Sequence, residues 1–191
     1  MKNEPTINAQ GRLQRTPDFT GEKITQFKQV IIRHLVPALF LSLLCLISYD
    51  LRVLLVHNLE TANSNPSIYL LGFSGLVLFF TVAATLSKRL NLQQLYWVIY
   101  LFAISVTEEW VYRLAVPGIL ENVFTPITAA VIANLVFAAV HYFTLRWRLI
   151  WCIGVFCGAM GLSRLMVRED LMLVIYVHWL FTYLNTPKPP S

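Results

Sequence analysis

The sequence contains few charged residues. Of 191 residues, 15 are Lys or Arg and 10 are Asp or Glu, whereas 57% are hydrophobic and the mean hydropathy is +0.60. A soluble domain carries about 25% charged residues, so this deficit excludes an ordinary water-soluble domain. Apolar runs of membrane-spanning length take the place of the missing charge. We therefore expect an all-α fold, a polytopic bundle of transmembrane helices.

Cysteines are also few, and their spacing excludes two kinds of stabilisation. Cys45, Cys152 and Cys157 match the pattern of neither a disulfide framework nor a zinc site. We expect them to act as small apolar packing residues. The His-Glu-x-x-His signature of zinc proteases is absent as well. These patterns therefore assign no metal or other cofactor.

The apolar runs predict about six spanning helices. The predicted spans are His34–Tyr49, Ser67–Leu86, Leu95–Val116, Ile127–Leu145, Leu149–Leu162 and Leu171–Leu184. Lys and Arg concentrate on one side of this arrangement, which predicts cytoplasmic N and C termini by the positive-inside rule. The short chain, without an added cytosolic domain, favours a bacterial inner membrane.

The N-terminal segment differs from the rest of the chain. Residues 1–29 are mostly polar and predict a cytoplasmic arm that ends in an interfacial helix, whereas residues 30–191 form the transmembrane domain. The net charge of +5 lies mostly in this arm and in short cytoplasmic turns. Anionic lipid headgroups of the bilayer are its natural partner, so no nucleic-acid partner is expected.

Two adjacent carboxylates lie in the apolar run from Tyr96 to Leu120. Glu108 and Glu109 are followed by Arg113 in the same run. Ionisable residues inside a bilayer are costly and usually mark a function. An i,i+4 ion pair between Glu109 and Arg113 is the structural alternative, but one arginine cannot neutralise two carboxylates. We therefore expect at least one glutamate to take up and release protons near neutral pH.

Two histidines occur on other predicted spans. His141 lies near the end of the fourth span, and His178 lies within the sixth. A carboxylate can take a proton from water, and an imidazole can orient that water or stabilise an oxyanion. This combination suits hydrolysis of an amide. The remaining histidines, His34 and His57, fall at span edges, where an interfacial role is expected.

The motifs around these residues resemble those of a known family. Glu108-Glu109-x-x-x-Arg113 and Phe137-x-x-x-His141 are similar to the first two motifs of the CPBP family, the CAAX-protease and bacteriocin-processing intramembrane proteases. The third motif, His-x-x-x-Asn or Asp, is half matched, because Thr182 stands four residues after His178. Asn185, seven residues on, is the expected substitute. The resemblance covers about residues 96–185.

The resemblance implies an endopeptidase that cuts a membrane-associated peptide or protein near the membrane surface. It implies that Glu108 activates water with His141 as its principal partner, and that Glu109 and Arg113 support Glu108. His178 is implied to bind the water or the oxyanion, with Thr182 or Asn185 as an auxiliary group. Zinc held by two histidines and a glutamate stays open as an alternative to a metal-free mechanism.

The predicted span ends place Glu108 and His141 at different depths. Glu108 lies 13 residues from Leu95, whereas His141 lies four residues from the end of its span, or about 20 Å and about 6 Å at the helical rise. The discrepancy shrinks if the third helix begins later, near Tyr100, and continues through Val116 to Leu120. The site residues would then line one cavity that water enters from the cytoplasmic side.

Two functions of other classes use the same residues. Carboxylates and histidines in membranes also form proton relays, so a proton-coupled transporter is an alternative, although no inverted repeat is visible. A non-catalytic immunity or scaffold protein of the same fold is the other alternative.

Overall fold

The all-α fold class is confirmed. The computed structural model describes residues 30–88, 90–145, 147–166 and 169–185, and these ranges contain seven helices and no strand. The predicted N-terminal arm, residues 1–29, lies outside the described residues. The helices are α1 Ile31–Cys45, α2 Tyr49–Ser64, α3 Pro66–Leu86, α4 residues 92–120, α5 Pro126–Thr144, α6 Leu149–Leu165 and α7 Leu171–Asn185.

Helices α1 and α4 each contain a π-helical segment. In α1 it is Ile31–Leu35, and in α4 it is Trp110–Ala115, between Leu92–Glu109 and Val116–Leu120. The amide that closes each segment bonds a carbonyl five residues back, as π-helical geometry requires. Such segments are rare and occur frequently at functional sites.

The first predicted span is wrong at its C-terminal end. Helix α1 ends at Cys45, and α2 departs from it at an angle of 104°. Ser48 starts α2, because its hydroxyl accepts a hydrogen bond from an amide in the first turn of that helix. Arg52 donates to two backbone carbonyls of the turn, at 2.7 and 2.9 Å. These local hydrogen bonds stabilise a sharp bend within the apolar run.

The third predicted span, Leu95–Val116, is longer at both ends in the structure: the helix does not begin later, near Tyr100, but it does continue to Leu120. The helix begins at Leu92, because the Asn91 side-chain oxygen accepts a hydrogen bond from the backbone N–H of Gln94 at 2.8 Å. Asn is among the residues preferred at helix N-caps. The local cap therefore sets the start of α4.

The prediction of about six spans is not confirmed. Helices α3 and α5 are long and apolar enough to cross a membrane, and the bent pair of α1 and α2 makes a third if it counts as one span. Helices α6 and α7 are shorter apolar helices. The large apolar side chains of α3 are mostly exposed on the protein, which fits contact with lipid.

Helix α4 lies at the centre of the bundle and packs against α1, α5 and α7. Two hydrogen bonds from tryptophan fix two of these neighbours, α1 and α7: Trp110 Nε1 donates to the Ser42 carbonyl of α1, and Trp179 Nε1 of α7 donates to the Val98 carbonyl, each at 3.1 Å. Residues 97–104 and 110–115 of α4 enter two different apolar clusters. The two glutamates occur on α4 between these two stretches.

We expect Leu78→Arg to impair membrane insertion. Leu78 lies near the middle of α3 with 64% of its surface exposed, and arginine at the centre of a spanning helix costs about 3 kcal/mol on insertion scales. Leu86→Arg, at the exposed end of the same helix, is the control, because its side chain can extend to the interface. The inserted fraction of each variant checks the prediction, and equal insertion of both would contradict a spanning α3.

Candidate active site

Six ionisable side chains from four helices converge in the interior of the bundle. Helix α1 contributes one, α4 three, and α5 and α7 one each, and each of these residues has at most 8% of its surface exposed. The structure thus brings together the five residues that the sequence predicted for the site and adds a sixth, His34. They are His34, Glu108, Glu109, Arg113, His141 and His178.

Glu109 is held between two basic groups. Its Oε2 lies 3.2 Å from Nε of Arg113, and its Oε1 lies 2.5 Å from Nδ1 of His178. Neither pair forms a hydrogen bond with favourable direction. The contacts are therefore ionic contacts between buried groups. The expected i,i+4 pair is present.

Glu108 is surrounded by imidazoles. Nε2 of His34 lies 2.7 Å from Oε1, and Nε2 of His141 lies 3.9 Å from the same oxygen. Nε2 of His178 lies 3.8 Å from Oε2. One contact is a short hydrogen bond, whereas the other two exceed hydrogen-bond length. Glu108 and His141 therefore meet at one site, despite the different depths that the predicted span ends gave them.

The other ring nitrogen of each histidine is engaged as well. Nδ1 of His34 lies 2.8 Å from the Tyr100 hydroxyl, and Nδ1 of His141 donates to the Phe137 carbonyl at 3.0 Å. Nδ1 of His178 faces Glu109. Contacts at one nitrogen orient the ring and select the proton position at the other. All three rings are therefore oriented with Nε2 toward Glu108.

Phe137 shows why the second motif contains an aromatic residue. Its carbonyl fixes His141 from one turn earlier in α5, and its ring lies under the guanidinium of Arg113, 4.6 Å from ring centroid to Cζ. A cation over an aromatic face is stabilised by the ring quadrupole. Phe137 thus links the arginine of the first motif to the histidine of the second.

His34 was expected to have an interfacial role, and this expectation is wrong. The residue is buried in the π-helical segment of α1 and contacts Glu108, 74 positions later in the chain. The available signal was the apolar run that follows His34 from Leu35 onward, because it indicates that the helix enters the bundle. His57, by contrast, is exposed and lies 3.3 Å from Glu60 and 3.2 Å from Glu169.

The two expected auxiliary residues contact their own helix. The Thr182 hydroxyl donates to the carbonyls of His178 and Trp179, at 3.0 Å each. Asn185 is exposed, and its amide donates to the Phe181 carbonyl at 2.8 Å. Asn185 is therefore not brought into the site, and the hydroxyl of Thr182 is directed to backbone carbonyls of α7.

The arrangement combines a buried carboxylate with oriented imidazoles, which is the equipment for general acid–base chemistry. It also offers donor atoms to a cation. One ligand atom each from His34, Glu108 and His141 lie within 4.8 Å of one another. Two imidazole nitrogens and one carboxylate oxygen form a donor set that zinc accepts.

Comparison with known proteins identifies the family. The model described as "Rce1-like: Type II CAAX prenyl endopeptidase Rce1-like" matches residues 90–184. Curated proteins and solved structures give no match. The matched range contains all five expected principal site residues but not His34. Through residues 90–184, this chain of apolar helices therefore belongs to the Rce1-like family of type II CAAX prenyl endopeptidases, as its CPBP motifs indicated.

Proposed function

We propose that this protein is an intramembrane endopeptidase that hydrolyses a peptide bond near the membrane surface by means of glutamate-activated water. The observation that carries the proposal is the convergence of three imidazole Nε2 atoms on the buried carboxylate of Glu108 in a member of a protease family. The substrate is a membrane-associated peptide or protein, and the enzyme resides in a bacterial inner membrane with both termini in the cytoplasm.

Glu108 is the general base in this mechanism. Oε2 of Glu108 and Nε2 of His178 are 3.8 Å apart, so a water molecule at a hydrogen-bond distance of about 2.8 Å from each would bridge the two atoms. Glu108 takes a proton from this water while the water oxygen adds to the substrate carbonyl carbon. The proton then passes to the amide nitrogen as the C–N bond breaks.

Glu109 and Arg113 support this chemistry through charge. Glu109 lies next to Nδ1 of His178 and stabilises the imidazolium form, whose Nε2–H donates to the oxyanion. Two carboxylates, one guanidinium and one imidazolium give a cluster with balanced charge. The pair of carboxylates that one arginine cannot neutralise is neutralised when His178 is protonated. His141 lies beside the other oxygen of Glu108, with Nε2 at 3.9 Å from Oε1, and supports the carboxylate from that side.

Glu108→Gln should strongly reduce the rate of peptide hydrolysis while leaving the fold intact. We expect a loss of about 10²–10⁴-fold, because the amide cannot accept the proton of water. Cleavage of a prenylated CAAX peptide and of its unprenylated form by protein in liposomes measures the effect. Glu60→Gln, which changes an exposed glutamate of α2, is the matched control.

Retention of cleavage by Glu108→Gln would overturn the proposal. Absence of peptide cleavage by the wild type, together with unimpaired biological function of the variant, would favour a scaffold. Proton uptake coupled to a solute in the same liposomes would favour a transporter.

Arg113→Met should destabilise the fold. Removal of the guanidinium leaves Glu109 buried beside one basic group only, and breaking a buried ion pair costs about 3–5 kcal/mol. We expect the double variant Glu109→Gln/Arg113→Met to lose less stability than Arg113→Met alone. The free energy of unfolding in detergent measures both, with exposed Arg164→Met as the control. Additive losses in the double variant would contradict the ionic coupling.

Zinc-dependent hydrolysis at the same site is the second candidate function. His34, Glu108 and His141 would hold the ion, which would supply a polarised water. The short contact of His34 favours the metal-free route, because its Nε2 points at the Glu108 oxygen at 2.7 Å. A zinc ligand would direct the lone pair of Nε2 at the metal instead.

We expect the activity of the purified protein to persist after treatment with EDTA. In the metal-free mechanism, each proton acceptor and donor is a side chain of the protein, so removal of divalent cations changes no reacting group. Metal content and the cleavage rate before and after chelation are measured on the same sample. Loss of cleavage that added zinc restores, with one zinc per chain, would establish the second candidate.

A further inference from the structure

His34 makes the shortest contact of the three imidazoles around Glu108. Its Nε2 lies 2.7 Å from Oε1, whereas the corresponding distances for His141 and His178 are 3.9 and 3.8 Å. A carboxylate only accepts hydrogen bonds, so Nε2 of His34 carries the proton in this contact. Hydrogen bonds to ionised groups are stronger than those between neutral groups. This contact therefore fixes the Glu108 carboxylate.

The contact gives the two oxygens of Glu108 different surroundings. Oε1 accepts the hydrogen bond from His34, and Oε2 faces Nε2 of His178 across 3.8 Å. A carboxylate held at one oxygen cannot rotate freely about its last torsion. The oxygen toward His178 is thus kept in the position from which it can accept a proton.

Tyr100 determines the orientation of the His34 ring. With the proton on Nε2, Nδ1 accepts from the Tyr100 hydroxyl at 2.8 Å. Tyr100 is itself buried on α4, two turns before Glu108. The hydrogen-bonded chain therefore runs from α4 to α1 and back to α4. It links α1 to the site through polar groups.

His34 lies outside the range that matches the family, residues 90–184. Within that range, the position four residues after His178 is Thr182, whose hydroxyl donates to carbonyls of its own helix. The family motif has a side-chain amide or carboxylate there. This chain instead presents an additional polar group from α1 directly to Glu108.

We propose that His34 is a positioning residue of the active site, which holds Oε1 of Glu108 so that Oε2 serves as the proton acceptor. This inference rests on the proposed function. Helix α1 would then contribute a side chain that positions the general base.

Two substitutions separate positioning from packing. The side-chain nitrogen of Gln occupies about the place of Nε2 of histidine and can still donate to Glu108, whereas that of Asn occupies about the place of Nδ1 and reaches only toward Tyr100. We expect kcat to fall by about 10- to 100-fold in His34→Asn, the value of one charge-assisted hydrogen bond. His34→Gln should keep a kcat at least tenfold above that of His34→Asn. KM should be similar in both variants.

The assay is cleavage of the prenylated CAAX peptide in liposomes, with the folded fraction determined by size-exclusion chromatography in detergent. His57→Asn, at an exposed histidine, is the matched control. Tyr100→Phe gives a second test that leaves His34 in place: it should lower kcat alone but cause no further loss in the His34→Asn background. This test holds even if His34→Asn fails to fold in useful yield, because Tyr100→Phe must still lower kcat.

Equal kcat values for His34→Gln and His34→Asn would overturn the inference, as would a wild-type kcat for Tyr100→Phe. Loss of activity in both His34 variants together with one zinc per wild-type chain would overturn it in favour of a metal ligand. The two proposals fail separately: an active Glu108→Gln refutes glutamate-activated water, whereas an inactive Glu108→Gln with a fully active His34→Asn refutes only the positioning role.

Discussion

Glu109, the most deeply buried charged group of the site, lies between Arg113 and His178. An unpaired carboxylate in this place would cost several kcal/mol, so the site requires that α4 and α7 be held together. The aromatic packing of Trp179 against α4 and the hydrogen bond to the Val98 carbonyl supply that association. The orientation of His178, and hence the environment of Glu108, depends on the same pair of helices.

The two π-helical segments both contribute side chains to the site. One contains His34, and the other begins directly after Glu109 and contains Arg113. An i to i+5 hydrogen bond widens the helix and changes the direction of the side chains that follow. Neither segment is marked by glycine or proline within its own residues, and for that reason the sequence pattern did not predict them.

The sequence predicted what depends on composition and motif spacing. The all-α class follows from the shortage of charge. The motifs, and the free-energy cost of ionisable groups in lipid, predicted five of the site residues: Glu108, Glu109, Arg113, His141 and His178. Hydropathy did not predict the bend between Cys45 and Tyr49, because the hydrogen bonds of Ser48 and Arg52 that make it act within one apolar run. His34 was missed because its partner is 74 positions away, and a single histidine carries no motif.

The position of His34 early in the chain has a consequence for biogenesis. Synthesis proceeds from the N terminus, so α1 is made before α4, which carries both Tyr100 and Glu108. During that interval the imidazole has neither of the partners that it has in the folded protein. The free-energy cost of placing a neutral imidazole in an apolar environment is lower than that of placing a charged one there. The hydrogen bond to Glu108 therefore cannot form before α4 has been made, and the candidate site is complete only after α1 has docked on α4.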